Sequence, residues 1–330
     1  MTQPVAAKLE MALKSLLPKK LLMRLRVLRE LKRGEPELKL VRCICNRSEL
    51  SIDVGANRGV YAFLFSKYSA HVLAIEPHPL MVEQLKKSLP RSVEVLNFAA
   101  SDQEGECEFH IPQQAERDID SRCSLESGVN SEFTMRTISV QRRRLDNLPI
   151  AGRTVGAIKV DVEGHELSTL RGITGLITQS QPTIIVESEA RHHAGAPQNV
   201  FQFLLKFGYR GYFIHQDNLR PLAEFSVDRF QASNAEKAVD GERSPYYVNN
   251  FLFIHPSRAG LLDRVQRIFP SISQALDLEP SIQPGFGHLR GPQPDHEIAL
   301  RAFQFSHAPS SRVPDEDYGP PAGALREERY

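Results

Sequence analysis

Hydrophobic positions in this chain follow two successive rhythms. Near the start, Leu9, Leu13, Leu16 and Leu17 recur at helical spacing, and so do Leu21, Leu25 and Leu28 after Pro18. The pattern predicts two short amphipathic helices, with Gly34 closing the second. From residue 49 the rhythm changes to short apolar runs at 49–54, 71–76, 92–98, 155–161, 183–189, 210–215 and 249–254. Helix-like stretches at 59–68, 78–88, 165–179 and 198–207 lie between most of them. Strands that are apolar throughout, alternating with helices, predict an α/β fold: a doubly wound, mostly parallel seven-stranded sheet covered on both faces. Residues 105–146 interrupt the alternation with polar, hairpin-like sequence and are expected to form an insertion beside the sheet. One further helix is expected in "LLDRVQRIF" after Pro256, followed by a stretch that holds nine of the 22 prolines and little periodicity. The predicted division is a basic helical extension over 1–48, the main domain over 49–256, and a helix with a Pro-rich, disordered tail over 257–330.

Composition narrows the class. The 330 residues, 41% hydrophobic and 25% charged, suit one large globular domain with extensions. No apolar run reaches membrane-spanning length, and the first twenty residues lack the apolar core and cleavage site of a secretory signal. A cytoplasmic location is therefore expected, with Cys43, Cys45, Cys107 and Cys123 as reduced thiols, since none has C-x-x-C spacing. The net charge of +1 conceals an asymmetry: residues 1–47 hold twelve Lys/Arg against four Asp/Glu. Basic character confined to one end implies no nucleic-acid partner. Two placements suit it instead: packing on the main domain with a solvated face, or peripheral contact with an acidic membrane surface through residues 1–33.

The candidate chemistry begins at "SIDVGANRGVYAF", residues 51–63, where a strand leaves through Gly55 and Gly59 into a helix. In a doubly wound sheet that exit is where ligands bind, and glycine admits both unusual dihedrals and close approach. Glu76 ends the next strand 17 residues beyond Gly59, on the same rim, where a carboxylate can accept both hydroxyls of a ribose. Together the two features predict a bound nucleoside. The dinucleotide fingerprint G-x-G-x-x-G is absent, and no Walker A lysine follows the loop.

A G-x-x-x-G strand exit resembles motif I of class I S-adenosylmethionine-dependent methyltransferases. The segments "DVGANRGVYAF", "AIEPHP", "VLNFAASDQEGECEF", "RRLDNLP" and "IKVDVEGHELSTLRG" follow in order, flanked by "RGEPELKL" and "NNFLFI". Over residues 35–254 this resembles the FkbM methyltransferase family, with "KVDVEGHE" as its most specific stretch. The resemblance implies that Asp53, Gly55, Asn57 and Gly59 surround the methionyl part of S-adenosylmethionine, and that Glu76 holds its ribose. It further implies that Asn97, Ala99 and Ala100 border the adenine, and that Asp161 lies close to the donor methyl. The expected acceptor is a small molecule or glycan: a hydroxyl of a sugar, glycoconjugate or natural product.

A second polar rim follows from the same strand ends. Strand alternation points Lys159, Asp161 and Glu163 the same way, Gly164 permits a sharp helix entry, and His165 and Glu166 follow. Glu187 and Glu189 end the neighbouring strand, with His192 and His193 expected on a surface loop beyond it. Methylation of an alcohol needs in-line alignment and a proton acceptor. Asp161 is the best-placed candidate, with Glu163, His165 and Glu187 behind it, and Glu166 is expected to cap the helix. The acidic cluster offers oxygen ligands to Mg²⁺, but no spacing specifies a metal and none is assigned. Ser124, in the insertion, is the candidate acceptor contact. Two other functions compete: an NAD(P)-dependent oxidoreductase on a similar sheet, and a catalytically silent scaffold that recruits partners through the basic helices.

Overall fold

Five strands are buried along their whole length or nearly so: β1 (Leu50–Val54), β2 (His71–Ile75), β8 (Val155–Val160), β9 (Thr183–Glu187) and β12 (Asn250–Ile254). Such strands need cover on both sides, and the structure supplies it. The computed structural model describes residues 17–114, 117–119, 122–130, 133–150, 152–192, 195–232 and 247–271. The expectations for Leu9, Leu13, Leu16, His193 and the tail beyond 271 lie outside these residues.

With β3 (Val93–Leu96), β10 (Arg210–His215) and β11 (Asn218–Pro221), the main sheet runs in the order β11-β10-β12-β9-β8-β1-β2-β3. The pairs from β3 through β9 are parallel, while β12 enters antiparallel between β9 and β10. The seven predicted strands are all present, and β11 adds an eighth at the edge. The short run "NLRP" carries too little apolar pattern to announce it.

Helices α1 (Lys19–Arg33), α2 (Val60–Tyr68), α3 (Pro79–Ser88) and α7 (Leu261–Ile268) cover one face. Helices α4 (Glu166–Arg171), α5 (Thr174–Ser180) and α6 (Gln198–Lys206) cover the other. Alternation along β9 shows the division, since Ile184 and Val186 join the second core and Ile185 the first. The predicted helix over 165–179 is broken into α4 and α5 at Gly172, where a Cβ would stand 2.0 Å from the Ser101 carbonyl oxygen. Asp146, from the "RRLDNLP" segment, then caps α5 by accepting the amides of Gly175 (2.9 Å) and Leu176 (3.0 Å).

One of two further regions differs from its predicted form. In α1 the sequence assigns Leu21, Leu25 and Leu28 to the packing face, yet these are 40%, 49% and 64% exposed. Met23, Val27 and Leu31 form a second stripe at i, i+4, i+8, and it is this one that enters the core against α2 and α3. One helix with two apolar stripes can bury only one of them. The insertion does form a hairpin. Its arms, β5 (Gly105–Gln114) and β7 (Thr134–Arg143), pair antiparallel and join β4 (Ala99–Ala100) and β6 (Arg117–Asp118) in a second sheet.

Candidate active site

The chain leaves β1 and β8 toward opposite faces, and a cavity of about 450 Å³ opens at the carboxyl ends of these strands. Its first wall is the loop between β1 and α2. Gly55 and Gly59 both have φ of 76°, in the left-handed region that glycine tolerates. The missing Cβ atoms do not face open space, as the close-approach argument supposed. At Gly55 a Cβ would stand 1.7 Å from the Asp161 carbonyl oxygen, and at Gly59 it would stand 2.6 Å from Leu85 Cδ2. Gly55 thus lets β1 lie directly against Asp161, and Gly59 lets α2 pack on α3.

Asp53 is buried beneath the loop and accepts the Ala62 amide at 2.8 Å, capping a helix whose own N-cap, Gly59, has no side chain. Burial pushes its carboxyl up to about 7, with the Ala62 hydrogen bond and Lys159 working against that rise. Glu76, 5% exposed, accepts the amides of Asn57 (2.7 Å) and His78 (2.9 Å), so it fixes both the glycine loop and the start of α3. Ala99, Ala100, Pro77, Phe109 and Leu125 form an apolar side to the same cavity. Asn97 does not reach it: its amide donates to the carbonyls of Glu76 and Pro77, both at 2.9 Å, and so ties down the chain after β2.

The second wall is the acidic rim, and one ammonium organises it. Lys159, 1% exposed, donates to Asn250 Oδ1 at 2.9 Å. It lies 3.6 Å from Asp161 and 3.8 Å from Glu187. Burial alone would lower its pKa, but Asp161, Glu35, Glu187 and Asp53 outweigh that and raise it. Four carboxylates thus converge electrostatically on one ammonium. The oxygens of Asp161, Glu163 and Glu187 lie within 4.8 Å of one another, a spacing able to gather a cation, and Lys159 sits against two of them.

The four predicted catalytic side chains all line the cavity, in different states. Glu187 accepts from Asn249 and lies beside Lys159, with its pKa raised well above the usual range by burial and by Asp161. His165 has both ring nitrogens engaged, Nδ1 with Glu126 at 2.6 Å and Nε2 with Ser101 at 3.0 Å. Strand alternation ends at Val160, and Glu163 takes φ of 48°. That turn brings one of its oxygens within 3.6 Å of Arg191 and 3.2 Å of His192. Asp161 is the most accessible of the three carboxylates, its side chain 30% exposed. Burial of the rest of the group and the neighbouring carboxylates, opposed by Lys159, raise its pKa to about 6.

Other expectations need correction. His192 is not on a surface loop but 6% exposed, held against Glu163. Ser124 is buried, and its hydroxyl donates to the Glu163 carbonyl at 2.6 Å; its neighbours Cys123 and Leu125 face the cavity instead. Glu166 is buried, and its carboxylate accepts the Gly164 amide at 2.7 Å, one residue ahead of the N-cap of α4. Glu189 is held by Arg191 at 2.7 and 3.0 Å and by Tyr247. Burial would raise its carboxyl, but the Arg191 guanidinium pulls it down to about 2. The N-terminal segment supplies wall residues that no local motif marks, Arg26, Arg29 and Glu30, together with Glu35 of "RGEPELKL", which accepts from the Tyr61 hydroxyl at 2.8 Å.

The residues fit S-adenosylmethionine. The Glu76 carboxylate at the end of β2 could accept from a ribose, the small apolar residues could flank a flat base, and the acidic rim could face a sulfonium and an α-ammonium. Strand order, glycine loop and acidic rim define a class I methyltransferase dependent on S-adenosylmethionine. The methyltransferase FkbM domain matches residues 53–210. A hexuronic acid methyltransferase, AglP of Haloferax volcanii, is 31% identical over 183 residues, 54% of this chain and 70% of that protein. The chain belongs to the FkbM methyltransferase family. Among solved structures, a methyltransferase FkbM from Methylobacillus flagellatus aligns at TM-score 0.40 and 17% identity, covering 63% of this chain and 44% of that one. A precorrin-6y C5,15-methyltransferase from Geobacter metallireducens aligns at TM-score 0.37 and 13% identity, covering 67% and 87%.

Proposed function

We propose that the protein methylates a hydroxyl of a sugar, glycoconjugate or natural product, with Asp161 as the general base. S-adenosylmethionine supplies an electrophilic methyl on a positively charged sulfur. In the transfer an acceptor oxygen forms the new O–CH₃ bond as the S–CH₃ bond breaks, and the hydroxyl proton passes to an Asp161 oxygen. Glu76 and the glycine loop hold the donor; the acidic rim favours its sulfonium; Lys159 fixes the orientation of Asp161. Glu187, Glu163 and His165 position the rim rather than take the proton, because each is already engaged with a neighbour.

The observation that carries this reading is the state of Asp161: accessible, on the cavity wall, with its pKa raised to about 6. A base poised just below neutral pH is ionised in use, yet basic enough to accept a proton. The relative that acts on a hexuronic acid supports a sugar acceptor. The test is to incubate the enzyme with S-adenosylmethionine and a panel of neutral sugars, uronic acids and amines, and to locate the new methyl by mass spectrometry. Methyl found as an ether on a hydroxyl oxygen supports the proposal, and methyl found only on a carboxylate, nitrogen or carbon overturns it.

A further inference from the structure

Beside the donor cavity lies a second cleft, of about 390 Å³, between α1 and α3. Its lining is chemically one-sided. Lys19, Arg26, Arg58 and Lys87 surround it together with Asn57, Gln84 and Ser88, and no carboxylate lines it. Arg26, Asn57 and Arg58 are shared with the wall of the donor cavity, so the two spaces adjoin.

Like charges gathered in one cleft are costly, and the cost is visible at Arg26, which carries only part of its counter-charge from Glu30. Arg26 is half-buried, and its guanidinium donates to the Arg58 carbonyl at 3.4 Å. Among the described residues neither Arg26 nor Arg58 makes an ion pair. Lys87 meets only Glu83, at 3.3 Å on the exposed side of α3. Burial lowers the pKa of Arg26 and the charges of Arg58 and Arg29 lower it further, with Glu30 working against them. The end of α1 bordering the cleft is its N-terminus, the positive end of the helix dipole, and its first turn contains no acid.

We infer that this cleft is a phosphate or diphosphate site, which receives the charged group of an acceptor whose sugar extends into the adjoining cavity. The inference rests on the methyltransferase reading only for the word acceptor. Four cations around a space of this size match a diphosphate better than a lone carboxylate, because guanidinium and ammonium donors can share several phosphate oxygens. Sugars activated for transfer carry such a group, whether on a nucleotide or on a lipid. Arg26 and Arg58, on the shared wall, then span from the anion to the donor pocket and set the distance between the charged end of the acceptor and the reacting hydroxyl.

The test does not depend on methyl transfer. Lys19 and Lys87 line this cleft but not the donor cavity, so Lys19→Gln/Lys87→Gln isolates it. Inorganic pyrophosphate, titrated calorimetrically into the 330-residue chain, should bind, and the double variant should lose about tenfold or more in affinity, as expected for removing charge-assisted hydrogen bonds. The affinity for S-adenosylmethionine and the melting temperature should not change. Two further probes identify the carrier: UDP-glucuronate in solution, and phosphatidylcholine vesicles containing a polyprenyl diphosphate. Binding to either one that the double variant weakens supports the site and names its source. Absence of pyrophosphate binding at millimolar concentration, or equal binding by wild type and variant, overturns it. An equal loss of S-adenosylmethionine affinity also overturns it, by assigning the cations to the donor.

Discussion

The two walls of the cavity are built by different means. The donor wall is almost entirely local: β1, the glycine loop, α2 and the end of β2 are consecutive in the chain, and Glu76 binds amides from both neighbouring turns. The acidic wall is assembled from a distance. Lys159 depends on Asn250, Glu187 on Asn249, Glu189 on Tyr247, and His165 on Glu126 and Ser101. One wall is held by backbone geometry and the other by a charge balance, so the same kind of substitution should fail differently on each.

The sharpest contrast comes from Asp161→Asn. It keeps the shape of the acidic wall but removes the proton acceptor, so kcat should fall by about 10²–10⁴ while donor affinity, measured by calorimetry, stays within a few-fold. A variant that keeps its kcat would transfer the base to another group on that wall. Next in size is Lys159→Met, which leaves several buried carboxylates without their cation. Urea unfolding should show a loss of about 3–5 kcal/mol, the range for breaking a buried pair on one side. An unaltered midpoint would mean that the carboxylates are protonated and the ammonium is dispensable.

On the donor wall, Glu76→Ala should weaken S-adenosylmethionine binding by about 1.5–3 kcal/mol, the range for losing hydrogen bonds to a charged group. Turnover at saturating donor should change less, and an unchanged dissociation constant would remove the ribose assignment. The smallest effect is the pH response. With Asp161 at about 6, ionised above that value and protonated below it, kcat should be level at neutral pH. Below about 6 it should fall roughly tenfold per pH unit. Asp161→Asn should abolish that limb, and if it persists, another group titrates.

This difference in construction also explains what the sequence could and could not disclose. The strand order, the glycine loop and Glu76 were legible because hydrophobic period and turn residues report contiguous structure. Asn97 and Ser124 were placed by position in a segment, and position does not reveal that both side chains turn back to bind carbonyls. His192 was assigned to a loop surface because its partner, Glu163, lies 29 residues upstream across a strand exit. The part played by α1 was hidden for a different reason. Two apolar stripes on one helix, Leu21/Leu25/Leu28 and Met23/Val27/Leu31, satisfy the same periodicity, and only tertiary packing selects between them. A deletion of residues 1–33 would therefore remove core side chains and cavity wall together, rather than a detachable appendage.

The position of β12 carries a consequence for how the chain is made. It lies between β9 and β10 although it follows both in sequence, and it brings Asn249 and Asn250 to the acidic wall. During synthesis β1, β2, β8 and β9 all emerge before it, so the donor side can form while Lys159 and Glu187 still lack their amide partners. A nascent or truncated chain that ends before residue 249 would have a glycine loop and an end to β2 but an unfinished acidic wall. The last strand of the sheet to leave the ribosome is thus the one that supplies the amide partners of Lys159 and Glu187.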